Sequence, residues 1–179
     1  MAAGLAAGCG TQPLPPPNPL AMRPPGRPVE LRDPRTGLRF EAPRNWVKRI
    51  RTNPGIFRIA SGSADISGWA YPRTGDQLPS TRAELATARD ALIHQAQSRN
   101  QTFHVTASRL TTVHGSPAIE IDGTQRIFGK TIKTRSIHVY RTGEYVFEAL
   151  APPAQFDVAN RRVLDPLLRS LRFRPVPPS

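Results

Sequence analysis

The sequence predicts an α+β domain, an antiparallel β-sheet with helices packed on it. Three observations point there. Short segments with period-two alternation of apolar and polar residues fill 37–71 and again 103–150, separated by turn residues. One stretch of helical periodicity, 81–100, lies between the two series, and a second, 154–172, follows them. Consecutive strands joined by short turns form an antiparallel meander, and helices before and after it cover such a sheet.

The elements follow in chain order. Residues 37–42 alternate Leu38, Phe40 and Ala42 with Arg39 and Glu41, a strand that Pro43-Arg44-Asn45 breaks ahead of Trp46. Residues 56–59 and 64–71 read as the next two strands, the second ended by Pro72. Thr81 and Glu84 have capping-box spacing, in which each side chain satisfies the other's free backbone N–H. From there Leu85, Ala88, Leu92 and Ala96 share one helical face, with Ile93 beside them, as far as Asn100. Phe103, Val105 and Ala107 begin a further strand, and Val113-His114-Gly115-Ser116 turns it. Residues 118–128, 131–140 and 145–150 continue the meander through turns at Gly129-Lys130 and Arg141-Thr142-Gly143-Glu144. Pro152-Pro153 ends the sheet. In the last helical stretch Asp165-Pro166 predicts a restart, with Asp165 as N-cap and Pro166 at the first helical position.

The chain has 179 residues, enough for about one domain, and 38% are hydrophobic. About half of its 20 prolines fall between Pro13 and Pro43, and Pro175, Pro177 and Pro178 close the chain. The division expected is a signal remnant over 1–9, a proline-rich disordered tether over 10–35, one folded domain over 36–173 and a tail over 174–179. The formal net charge of +12 favours anionic partners. GC-rich codon usage is the competing explanation, since arginine supplies nearly all the positive charge. The only lysines are Lys48, Lys130 and Lys133.

Cys9 is the single cysteine, so no intramolecular disulfide and no multi-cysteine zinc site can form. Leu5-Ala6-Ala7-Gly8-Cys9 resembles a bacterial lipobox, in which small residues precede a cysteine whose thiol takes a diacylglyceryl group. A complete signal has a basic region and roughly 7–15 apolar residues. Eight uncharged residues precede Cys9 here, so the expectation carries a corollary: the natural start lies upstream of Met1. The address that follows is extracytoplasmic, with a lipid on Cys9 holding the chain to the bacterial cell membrane.

The spacing Gly37-x-x-Phe40-x-x-Pro43-x-x-Trp46 resembles the opening of PsbP/Mog1-like domains. The Val113-His114-Gly115-Ser116-Pro117-Ala118 turn after a mid-chain helix fits the same pattern, as does the closing run from Leu164 to Phe173. The resemblance covers the folded part and implies an α/β/α sandwich. It also implies kinship with lipid-anchored envelope proteins of the LpqN type, whose habit is binding. The matching residues are scaffold residues, so no functional residue is carried over.

No catalytic constellation is legible. No serine lies in G-x-S-x-G, and His94, His104, His114 and His138 lack the close pairing of a zinc site. No metal or cofactor is expected. Arg126, Lys130, Lys133 and Arg135 lie on one expected hairpin and Arg141 on the next turn. They are a possible anionic-ligand surface, unless Glu120, Asp122 and Glu148 neutralise them. The expected function is a membrane-anchored extracytoplasmic binding or scaffold module of the cell envelope, without catalysis. Its partners would be the membrane, through Cys9, and an envelope protein or anionic glycolipid; an extracytoplasmic address disfavours nucleic acid. The rival is a basic cytoplasmic protein that binds nucleic acid or another anionic polymer. A third reading, an enzyme centred on His138 or His104, lacks a nucleophile in sequence.

Overall fold

A computed structural model describes residues 18–173. Two strands, β1 (Pro28–Arg32) and β2 (Arg39–Pro43), form a separate hairpin. Seven more form one antiparallel sheet: β3 (Val47–Ile50), β4 (Gly55–Ser61), β5 (Ala64–Tyr71), β6 (His104–Val113), β7 (Ser116–Ile127), β8 (Lys130–Tyr140) and β9 (Glu144–Ala151). Their order across the sheet is β3-β4-β5-β9-β8-β7-β6. The α+β class expected from the sequence is the one found.

The two faces of the sheet are covered unequally. On one face Phe57, Ile59, Ile66, Ile137 and Phe147 meet the C-terminal helices and the β1–β2 hairpin in a core that excludes water. Phe40 packs on Phe57 with the rings tilted and their centroids 4.3 Å apart. The opposite face carries α1 (Arg82–Arg99), whose capping box is formed as the spacing predicts: Glu84 N–H donates to Thr81 Oγ1 at 3.1 Å, and Thr81 N–H to Glu84 Oε2 at 3.0 Å. Only Leu85 of α1 is buried; it joins Phe103, Ile119, Ile121 and Tyr140 in a smaller cluster over β6, β7 and β8. One helix is about 10 Å across, too narrow for seven strands, so α1 leaves the β5–β9 part of its face open.

The structure corrects the expected start of the folded domain. β1 lies inside the stretch read as a tether, and its register runs from Pro28 opposite Pro43 to Arg32 opposite Arg39. Proline is tolerated there because Pro28 opens a two-stranded hairpin, where a missing donor breaks no continuous ladder. Asp33, fully buried, staples the turn that follows: its Oδ2 accepts from Thr36 N–H at 2.9 Å and Thr36 Oγ1 at 2.7 Å. Upstream, Arg23 N–H donates to Ser61 Oγ at 2.9 Å and the Trp46 indole donates to Arg23 O at 3.0 Å. The edge strand β3 is a further addition that its exposed, poorly alternating sequence concealed.

Asp165 is not an N-cap. Helix α2 (Pro153–Ala159) runs through a π-helical segment, Asn160–Leu164, into α3 (Asp165–Ser170) without a break, and Asp165 itself has helical φ −60° and ψ −45°. Pro166 brings no N–H to an α-helical ladder. The chain meets this by widening one turn, with Asp165 N–H bonded to Asn160 O. The Asp165 carboxylate is thereby freed to face the sheet.

Candidate functional site

The open half of the α1 face forms a groove of about 770 Å³. Strand alternation builds its floor. Trp69 and Tyr71 of β5, Val146 and Glu148 of β9, and Ser136 and His138 of β8 project to the same side. Ala88, Ala91, Leu92 and Gln95 of α1 form the wall, and Arg73 closes one end. At the other end a second hollow of about 400 Å³ shares Trp69 and Glu148 and continues past Ile132 and Leu150 to Phe128.

Two acidic groups in the groove are set apart by their surroundings. Burial of Glu144 alone would raise its carboxyl pKa, but hydrogen bonds from His138 and Arg73 outweigh that and hold it below the usual range. His138 Nδ1 lies 2.9 Å from Glu144 Oε1, and Arg73 Nη2 donates to Oε2 at 2.8 Å. An ionised carboxylate only accepts, so the proton of this contact sits on Nδ1. The neighbouring Tyr140 hydroxyl is pushed up by burial and then by the Glu144 charge, and stays protonated. Glu148 has the opposite fate. Burial, with the Asp65 charge adding to it, raises its pKa to about 7.

The five cations expected to share one anionic-ligand surface are not brought together. Arg135, 13% exposed at its side chain, points to the helix-covered core face. There its Nη1 donates to Asp165 Oδ1 at 2.6 Å and Asn160 Oδ1 at 2.8 Å, its Nη2 to Glu120 Oε2 at 3.1 Å, and Arg109 meets the same Glu120. Lys133, on the same face, sits over the Phe156 ring at 5.5 Å. Arg141 sits over Phe173 at 5.4 Å, at the other end of the sheet. Arg126 and Lys130 alone stay exposed beside one another, at the β7–β8 turn. Of the acids set against them, Glu120 pairs with Arg135, whereas Glu148 lies on the opposite face. Cys9 lies outside the described residues.

The histidines scatter. His94 and His104 are exposed, and His114 Nε2 donates to Leu168 O at 2.8 Å to fasten the β6–β7 turn to α3. Among the described residues no group of three or more metal-ligating side chains converges. The groove residues that sequence reasoning passed over had a signal. Trp69 and Tyr71 share the β5 face of Asp65 and Ser67, and Glu148 interrupts the apolar row Val146, Leu150. Aromatics on a polar face, and an acid in an apolar one, mark a face that is neither core nor plain surface.

No protein-family model matches the sequence, and no curated protein does. Solved structures do match. CyanoP, the cyanobacterial PsbP of Synechocystis, aligns with a TM-score of 0.64 at 10% identity over 96% of this chain and 98% of its own. The fold is PsbP-like. LpqN of Mycobacterium tuberculosis, a protein involved in cell envelope biogenesis, matches the PsbP-like chain with a TM-score of 0.58 at 10% identity, over 83% of this chain and 91% of that one. PA94 of Pseudomonas aeruginosa, of unknown function, matches at 0.55 and 16% identity, over 84% and 100%. Identities this low speak for the PsbP-like fold alone.

Proposed function

We propose that this chain is an extracytoplasmic binding module of the bacterial cell envelope, anchored by a lipid on Cys9 and using the α1 groove to hold an envelope protein or anionic glycolipid. The open groove carries the reading. A helix with one buried residue, beside part-exposed Trp69 and Tyr71, leaves a concavity whose floor combines aromatic and apolar side chains with convergent polar groups, as ligand sites do. The similarity to an envelope-biogenesis protein supports the address. Binding is favoured over catalysis because His138 is committed to Glu144, and among the described residues no hydroxyl or thiol nucleophile is hydrogen-bonded to it. Nucleic acid is disfavoured, since Arg135, Lys133 and Arg141 are engaged within the fold.

Trp69 reports on the groove, while Trp46 is buried away from solvent. Titration of the purified chain with a glycosylated phosphatidylinositol is expected to shift Trp69 emission to saturation. Ala91→Trp fills the groove from an exposed helix position and is expected to weaken binding at least about tenfold, the scale of losing one well-packed apolar contact. Equal affinity in this variant, with an unchanged melting temperature, would place the ligand elsewhere. The anchor is tested separately. Expressed with its upstream reading frame, the native chain is expected in the membrane fraction and Cys9→Ser in the soluble fraction; a soluble native chain removes the lipid from this reading.

A further inference from the structure

We propose that the β7–β8 hairpin tip is a membrane-contacting finger: Phe128 enters the headgroup–acyl boundary of an anionic bilayer while Arg126 and Lys130 meet lipid phosphates. Phe128 is 100% exposed. It also sits at φ +48°, followed by Gly129 at +75°, in a two-residue turn whose first position favours asparagine or glycine. The β6–β7 turn has the same geometry, with His114 at φ +49° and Gly115 at +76°. There the strained residue bonds to α3. Phe128 holds an unfavourable backbone conformation and packs its ring on nothing within the fold, so the fold is not what the ring serves.

The chemistry around the tip selects the partner. Two exposed cations, Arg126 and Lys130, flank Phe128, and from Thr124 to Lys133 the chain has no acid. Arg126 Nη2 donates to Gly129 O at 3.2 Å, which holds its guanidinium over the turn. Ile127, Ile132 and Leu150 line the hollow behind Phe128. An aromatic tip flanked by two cations matches a bilayer interface, where the ring enters the boundary and the charges stay with anionic headgroups. The base of the finger is fixed: Arg126 N–H donates to Thr102 Oγ1 at 2.9 Å and Asn100 Nδ2 to Gln125 Oε1 at 2.6 Å. Orientation agrees as well. Ser63 N–H donates to Leu20 O at 3.2 Å, and Ser63 lines the hollow that Phe128 also lines. The chain therefore enters its fold at the end of the sheet that carries the finger, and a lipid on Cys9 would bring this end to the bilayer. Only that last point rests on the anchor reading.

The test uses the full chain carrying Cys9→Ser, so that no lipid contributes, in cosedimentation with vesicles of phosphatidylcholine alone or mixed with phosphatidylglycerol. The expected result is partition onto the phosphatidylglycerol vesicles that weakens with salt. Phe128→Asn, which suits the turn, is expected to melt no lower than its parent and to lose partition about tenfold. Arg126→Gln combined with Lys130→Gln is expected to abolish the preference for phosphatidylglycerol. Absence of binding to anionic vesicles, or equal binding by Phe128→Asn, overturns the proposal and leaves the tip to a protein partner. Either outcome leaves the fractionation of the Cys9-bearing chain to decide the anchor independently.

Discussion

Arg135→Leu is expected to lower the unfolding free energy by about 3–5 kcal/mol, the cost of leaving a buried charge without its partner. The stranded group is Glu120, whose side chain is 5% exposed. Arg135 Nε lies 2.9 Å from its Oε1, off the line of a hydrogen bond, while Nη2 completes the pair. Arg109 also reaches Glu120, but it is 60% exposed, so water screens its charge and it replaces little of what is lost. Asp165 is 30% exposed and can turn to solvent. Glu120 is therefore the group that most needs neutralising, and Arg135→Leu combined with Glu120→Leu is expected to recover most of the loss, since the same change also removes the Glu120 charge from beside Asp122. Urea denaturation of the single and double variants measures both. A single-variant loss below about 1 kcal/mol would mean that Arg109 suffices. The same network ties β8 to the π-helical turn, since Asn160 and Asp165 bracket that turn and both accept from Arg135.

Glu148→Gln is expected to stabilise the protein at pH 8 and to leave it nearly unchanged at pH 4. Burial and Asp65 raise the folded-state pKa to about 7 from an ordinary 4.5. A raised carboxyl pKa means that the fold favours the neutral form. Its stabilising contribution is complete below pH 4.5 and is lost as pH climbs through 7. The difference corresponds to about 3 kcal/mol at pH 8. Glutamine stays neutral throughout, so the gap between the two melting curves should open across that interval. Glu144 works in the other direction: its lowered pKa favours the charged form, and its contribution is lost as pH falls. The comparison with Glu148→Gln cancels that background, and parallel curves from pH 4 to pH 8 would show that Glu148 is ordinarily solvated.

Local chemistry made much of the fold legible. The capping box at Thr81 and Glu84, the turns at Gly115, Gly129 and Gly143, and the alternation in β5, β7, β8 and β9 each depend on residues a few positions apart. Those relations are present before any tertiary contact forms. Where partners lie far away in sequence, the reading failed. Pro28 and its neighbours look like linker until Phe40 and Ala42 supply a strand to pair with. Asp165 looks like a cap until Arg135, 30 residues earlier, claims its carboxylate.

The site shows the same division. Period-two alternation already placed Lys133 with Arg135 on one face, and it places Trp69 with Tyr71 in the same way. It cannot say which face a helix will cover, because both faces of a central strand carry apolar residues. By itself the sequence determined the α+β class, the order of the strands and helices it recognised (without β1 and β3), the strong positive charge and the expectation of a lipid on Cys9. Tertiary structure alone decided that Arg135 is an internal ion pair, that α1 covers half a sheet face and leaves a groove, and that Phe128 stands in solvent. Burial belongs to surfaces brought together across the chain, and no window of neighbouring residues contains it.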